Sequence, residues 1–131
     1  MTRTLIACVA LAATSAFAQT TPAGLWRNVD DTTGEVKAEI RIVETPAGLR
    51  GRIEKVLKKD AKPDEKCDKC EDDRKDKPMV GLEIIRGEKI LDPENGREYR
   101  LQLTPIEGGA KLQVRGYFGP FYRTQTWVRA Q

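Results

Sequence analysis

Apolar residues recur at every second position along this chain, in short runs cut by turn-forming residues, and no other feature restricts its fold as tightly. Val36, Ala38, Ile40 and Ile42 alternate with Lys37, Glu39 and Arg41. Leu49, Gly51 and Ile53 alternate with Arg50, Arg52 and Glu54, and Tyr99, Leu101 and Leu103 with Arg100 and Gln102. Leu112, Val114, Gly116 and Phe118 repeat the pattern against Gln113, Arg115 and Tyr117. A period of two marks a strand with one face buried and the other wet. No 3.6-residue period lasts three turns after residue 18, so helices are not expected. With further runs at 24–29, 79–85, 89–91 and 123–129, the chain reads as seven or eight short strands.

The connections set the topology. Asp92-Pro93-Glu94-Asn95-Gly96 is turn chemistry, because Pro fixes φ early in a turn and Asn95-Gly96 tolerates the positive φ that a tight reversal needs. It predicts a hairpin that fixes strand register, with Leu91 and Tyr99 facing inward. Asp30 to Gly34, Pro46-Ala47-Gly48, Glu107-Gly108-Gly109 and Gly119-Pro120 break the chain in the same way. Connections this short join antiparallel neighbours, since a parallel crossover takes about a dozen residues or more. A meander of this length splits into two layers or closes on itself, and closure removes the exposed edges. The expected fold is therefore all-β, a small antiparallel up-and-down barrel of about eight strands. In such a barrel the first and last strands are neighbours. Trp26 and Trp127 would then share one end of the core, with Arg129 or Arg123 laid over an indole face.

Residues 1–18 read as an export signal rather than as fold. Arg3 supplies a cationic start, Leu5 to Ala13 an apolar run, and Ala16-Phe17-Ala18 the small residues of a cleavage site after Ala18. Residues 19–131 then form one domain, opened by a mobile leader up to Ala23. No later segment approaches the length of a membrane span. The expected location is the periplasm or the exterior of a Gram-negative bacterium, where disulfides persist. The net charge of +3 and the scarcity of aromatic residues do not make a nucleic-acid surface. The chain has no histidine, which excludes a histidine general base and most zinc hydrolase sites. The carboxylate pairs Asp30-Asp31 and Asp92/Glu94 sit in turns, so no catalytic acid pair is expected. No catalytic residues, metal or cofactor are expected.

Lys58 to Lys77 interrupts the rhythm. Apart from Pro, only Ala61, Cys67 and Cys70 in it are uncharged. A connection of this length in a compact domain is either a functional loop or a tethered insertion. It is read as a solvated insertion pinned at one point, with a lid over a barrel mouth as the alternative. Cys67 and Cys70, in Cys67-Asp68-Lys69-Cys70, are read as a structural disulfide. A redox pair and half a zinc site completed by carboxylates remain as alternatives. Tyr117, Phe118, Phe121 and Tyr122 surround Gly119-Pro120 and are candidate contacts for a ligand or a partner at a barrel rim.

Several stretches together resemble a known family. Gly24-Leu25-Trp26, Cys67-Asp68-Lys69-Cys70, Lys77-Pro78-Met79-Val80-Gly81-Leu82, Ile90-Leu91-Asp92-Pro93-Glu94-Asn95-Gly96 and Arg123-Thr124-Gln125-Thr126-Trp127 look like the secreted bacterial domain of unknown function 2147 (DUF2147). The resemblance implies a lipocalin-like barrel exported from Gram-negative bacteria and brings no catalytic residues. Gly24-Leu25-Trp26 is also similar to the Gly-x-Trp opening of lipocalins, in which the tryptophan closes the barrel base beneath a C-terminal arginine. Gly24, Trp26, Asn95, Gly96, Arg123, Trp127 and Arg129 are accordingly expected to be structural. The expected function is non-enzymatic binding of a small, partly apolar ligand. The alternatives are an envelope protein-protein interaction by a solid barrel, and a redox or metal role for Cys67 and Cys70.

Overall fold

A computed structural model describes residues 2, 8–10 and 21–131. The export signal expected at 1–18 lies outside the described residues, apart from the few named. Eight strands follow in order: β1 (Gly24–Val29), β2 (Val36–Thr45), β3 (Gly48–Val56), β4 (Glu83–Arg86), β5 (Lys89–Asp92), β6 (Arg97–Ile106), β7 (Lys111–Phe118) and β8 (Phe121–Arg129). Each pairs antiparallel with the next, and β1 meets β8 through Trp26 opposite Arg129 and Arg27 opposite Val128. The chain is a closed, up-and-down, lipocalin-like β-barrel of eight strands.

Alternation builds the interior. Trp26, Ile40, Ile42, Ile53, Leu101, Leu112, Val114 and Trp127 are buried, while their polar neighbours face water. Inside β3, Gly51 stands where a Cβ would meet the Ile85 side chain at 2.9 Å, so the wall there is drawn in tightly. A register irregularity between Gly51 and Arg52 lets β4 bury two successive residues, Ile84 and Ile85.

Because the strands alternate in direction, the turns divide between two ends. One end carries the turns at 46–47 and 87–88, a 3-10 turn at Glu107–Gly109 and both ends of the described domain. The other carries the turns at 30–35, 93–96 and 119–120, and the long segment 57–82.

Four expectations are corrected. The strand expected at 79–85 begins only at Glu83, because Leu82 N–H bonds Met79 O at 3.1 Å and Gly81 turns the backbone at φ +87°. In the hairpin, Tyr99 lies opposite Ile90 and Leu91 opposite Glu98, so Ile90 rather than Leu91 shares the face of Tyr99. The reversal between them is a four-residue loop closed by Gly96 N–H to Asp92 O at 2.8 Å, and within it only Gly96 has positive φ. The leader up to Ala23, expected to be mobile, is held at residues 21–23. Pro22 O accepts the Trp26 indole N–H at 2.8 Å, and Thr21 O and Ala23 O accept from Arg129 at 3.4 and 3.2 Å.

Candidate functional site

The two ends of the barrel are built differently. At the end nearest the chain termini, Trp26 and Trp127 are fully buried. The Arg129 guanidinium lies 4.1 Å from the centre of the Trp26 ring and donates to Gly109 O at 2.6 Å. A Cβ on Gly24 would collide with that guanidinium, so the glycine makes room for the arginine. Cation-π attraction and well-aligned hydrogen bonds each contribute about 1 kcal/mol or more in such a setting. This end is sealed. Of the two arginines that the sequence offered for this position, the structure places Arg129 here and Arg123 at the opposite end. There Arg123 pairs with Asp31 in the β1–β2 turn, Nε to Oδ2 at 3.3 Å, and the pair holds the Asp31 carboxyl below its usual range.

The opposite end is hollow. A cavity of about 390 Å³ opens there, its deeper wall formed by Ala38, Ile40, Ile53, Ile84, Val114 and Trp127. Such a volume is in the range of small-molecule sites. Val114 borders it, whereas Leu101, Leu103 and Leu112 do not and pack the rest of the interior. The barrel is packed below and open above.

Polar groups crowd the mouth. Lys37 bridges Asp30 at 3.3 Å and Glu94 at 3.1 Å, joining the turn after β1 to the β5–β6 loop. Asp30 also accepts the backbone N–H groups of Thr33 and Thr32, and these bonds bring its pKa down to about 2. Lys58 donates to Glu65 Oε1 at 2.8 Å, and that bond holds the Lys58 pKa above its usual value. Two further acceptors, Asn28 Oδ1 and Glu65 Oε2, are buried with no hydrogen-bond partner among the described residues. Both residues line the cavity. Asn28, Lys37, Lys58 and Glu65 were not singled out from sequence. Asn28 stands two residues beyond Trp26 and so on the same face, and that spacing was the available signal.

The aromatic cluster divides by face. In the register, Phe118 lies opposite Phe121 and Tyr117 opposite Tyr122. Phe118 and Phe121 stand at the cavity mouth and are 54% and 74% exposed. Tyr117 lies on the outer wall under the Arg100 guanidinium, 4.7 Å from the ring centre, and bonds Gln102 at 2.9 Å. Tyr122 lies under Arg115 at 4.8 Å and borders the cavity as well. Three of the four, Phe118, Phe121 and Tyr122, thus border the cavity mouth, while Tyr117 lies apart on the outer wall.

Most residues of the charged segment 58–77 are exposed, as composition suggested, but it is pinned at several points. In the connection 57–82 that contains it, Cys67, Cys70, Arg74, Met79 and Leu82 are buried. Cys67 and Cys70 form a disulfide. Cys67 N–H bonds Lys77 O and Asp76 N–H bonds Cys67 O, both at 2.8 Å, so the segment carries its own backbone frame. Arg74 anchors it, donating to Asp72 at 3.0 Å, to Glu98 on β6 at 2.9 Å and to Glu83 O at 3.0 Å. Lys58, Glu65 and Met79 reach the cavity from this segment, so it forms part of the mouth. A residue count of charges missed this because a buried arginine is tolerated once its donors are matched.

Among the described residues no group of three or more His, Cys, Asp or Glu side chains is placed to hold a metal ion, and no helix is long and apolar enough to cross a membrane.

Comparison with known proteins agrees with this architecture. No curated protein matches the chain in sequence. Among solved structures it is similar to protein HP1028 from Helicobacter pylori, described as belonging to the lipocalin family. The TM-score is 0.68 at 13% identity, covering 86% of this chain and 85% of that one. At that identity the likeness speaks for the fold alone. Residues 24–129 match the family described as "Uncharacterized protein conserved in bacteria (DUF2147)". With that match running from the first strand to the last, the chain belongs to the DUF2147 family.

Proposed function

We propose that this protein is an exported, non-enzymatic binder of a small, partly apolar molecule, held in the open end of its barrel. One observation carries the reading: a cavity of about 390 Å³ with an apolar floor and a polar mouth, in a barrel otherwise packed. Export to the periplasm or beyond is supported by the pattern at 1–18 and by the disulfide. Cys67 and Cys70 support a structural role, because thiol exchange needs access to sulfur and both are 1% exposed or less.

Native mass spectrometry of the protein recovered from its host envelope tests this, together with binding of Nile red, a neutral apolar dye. The expected result is a bound small molecule or, in the emptied protein, dye binding that Val114→Phe weakens at least about tenfold while the barrel stays folded. Protein that is always recovered alone and never takes up the dye contradicts it.

A second reading rests on the exposed tip of the β7–β8 hairpin, where Phe118, Phe121 and Tyr122 are all more than half exposed. An exposed aromatic tip suits contact with an envelope protein. A pull-down that depends on Phe121 and ignores Val114→Phe favours it over the first.

A further inference from the structure

The polar end of the cavity has a definite charge preference, and it builds on the ligand-binding reading above. Three cations line the cavity and each is already engaged, while Arg97, outside the lining, lies 5.6 Å from the centre of the Phe118 ring. Lys37 is shared by Asp30 and Glu94, Lys58 is bonded to Glu65, and Arg123 is paired with Asp31. An anionic head group inside the cavity would find each lining cation already paired and would face the carboxylates of Asp30, Glu65, Asp92 and Glu94. The acceptors are in surplus. Lys37 serves two carboxylates at once, and Glu65 uses Oε1 for Lys58 while its Oε2 is buried with no partner among the described residues. Asn28 Oδ1 is a second such acceptor. Leaving such groups unpaired costs free energy, more so for a carboxylate, and a donor that reaches them recovers it. The rest of the wall is apolar, with Ile40, Ile53 and Val114 deep in the cavity.

We propose that the cavity takes an amphipathic amine, with its apolar body against Ile40, Ile53 and Val114 and its protonated nitrogen donating to the Glu65 carboxylate, which turns its buried Oε2 toward the ligand. Asn28 Oδ1 is an additional acceptor within the same cavity. An amine fits where a fatty acid does not. Its head brings positive charge and up to three donors to a mouth whose lining cations are already paired, whereas a carboxylate brings more of what is already in excess.

The test is a head-group series on one alkyl chain. Decylamine, decanol and decanoate, each below its micellar concentration, displace Nile red from the disulfide-intact protein at neutral pH. The expected order is decylamine first, tighter than decanol by about tenfold or more, the worth of one charge-assisted hydrogen bond, with decanoate weakest. Glu65→Gln brings the ratio of amine to alcohol close to one. Decanoate equal to or tighter than decylamine overturns the proposal, as does a ratio that Glu65→Gln does not move. The series on the unaltered protein decides the matter even if the variant folds poorly. Equal binding of all three compounds rejects the amine while leaving an apolar ligand site intact. Failure of Nile red and of all three compounds to bind rejects the ligand-binding reading itself.

Discussion

Gly96 shows how one residue can be fixed by two independent constraints. Its φ of +75° suits glycine, and a Cβ there would collide with the carbonyl of Lys69, so the β5–β6 loop and the charged segment meet backbone to backbone. Gly34 has nearly the same φ, +74°, with nothing within 4 Å of a Cβ. The two positions separate the costs. Gly34→Ala should lose about 1–2 kcal/mol of stability from the backbone alone. Gly96→Ala should lose at least about 1 kcal/mol more, since the segment must be displaced. Urea unfolding of both variants checks this, and equal losses would mean that the contact with Lys69 does not matter. The turn itself was legible from Asp92-Pro93-Glu94-Asn95-Gly96, because its chemistry is local. The second constraint was not, because Lys69 is far away in sequence. Arg129 and Arg123 teach the same lesson. Both stand near the C-terminal tryptophan, and only closure of the barrel sends one beneath the base and the other to the mouth.

Among the elements, the connection 57–82 holds the main exception to a reading by charge, although most of 58–77 is exposed. Charge density pointed to solvent, yet Arg74 is 2% exposed and is held by Asp72, Glu98 and the carbonyl of Glu83. Partner matching, rather than hydropathy, decides burial here, and matching cannot be read from composition. The pairing makes the segment sensitive to acid. The bond from Arg74 holds the Asp72 carboxyl at about 2, below its ordinary 3.8. A carboxyl depressed on folding stabilises the folded state above its unfolded pKa, and that stability is lost as pH falls through the folded value. Asp30, also at about 2, titrates in the same interval. Thermal stability should therefore fall as pH drops from about 5 to about 2, and Asp72→Asn should flatten part of the slope. The effect is modest because Asp72 is 45% exposed and water screens the pair. A melting temperature unchanged across that interval, or a slope untouched by Asp72→Asn, would show that the pair is not coupled to folding.

At the scale of the whole molecule, alternation and turn length sufficed for the barrel, because each is a local signal and closure follows from removing edges. The tryptophans near the two ends of the domain located its base. What alternation could not reveal is how far side chains fill the inside. Ile42 and Leu112 pack one half of the interior completely, while Ile40, Ile53 and Val114, of the same residue types, border open space in the other half. The difference arises from the ends: two indoles and Arg129 stop the base, and the mouth is framed by charged groups that pair with one another above the cavity floor. Side-chain NMR during titration with decanol tests this division most directly. Signals of Ile40, Ile53, Ile90 and Val114 should shift together and saturate, while those of Ile42 and Leu112 stay in place. Shifts confined to the outer surface, or shared equally by Ile42 and Leu112, would contradict a barrel sealed at its tryptophans and open at its charged mouth.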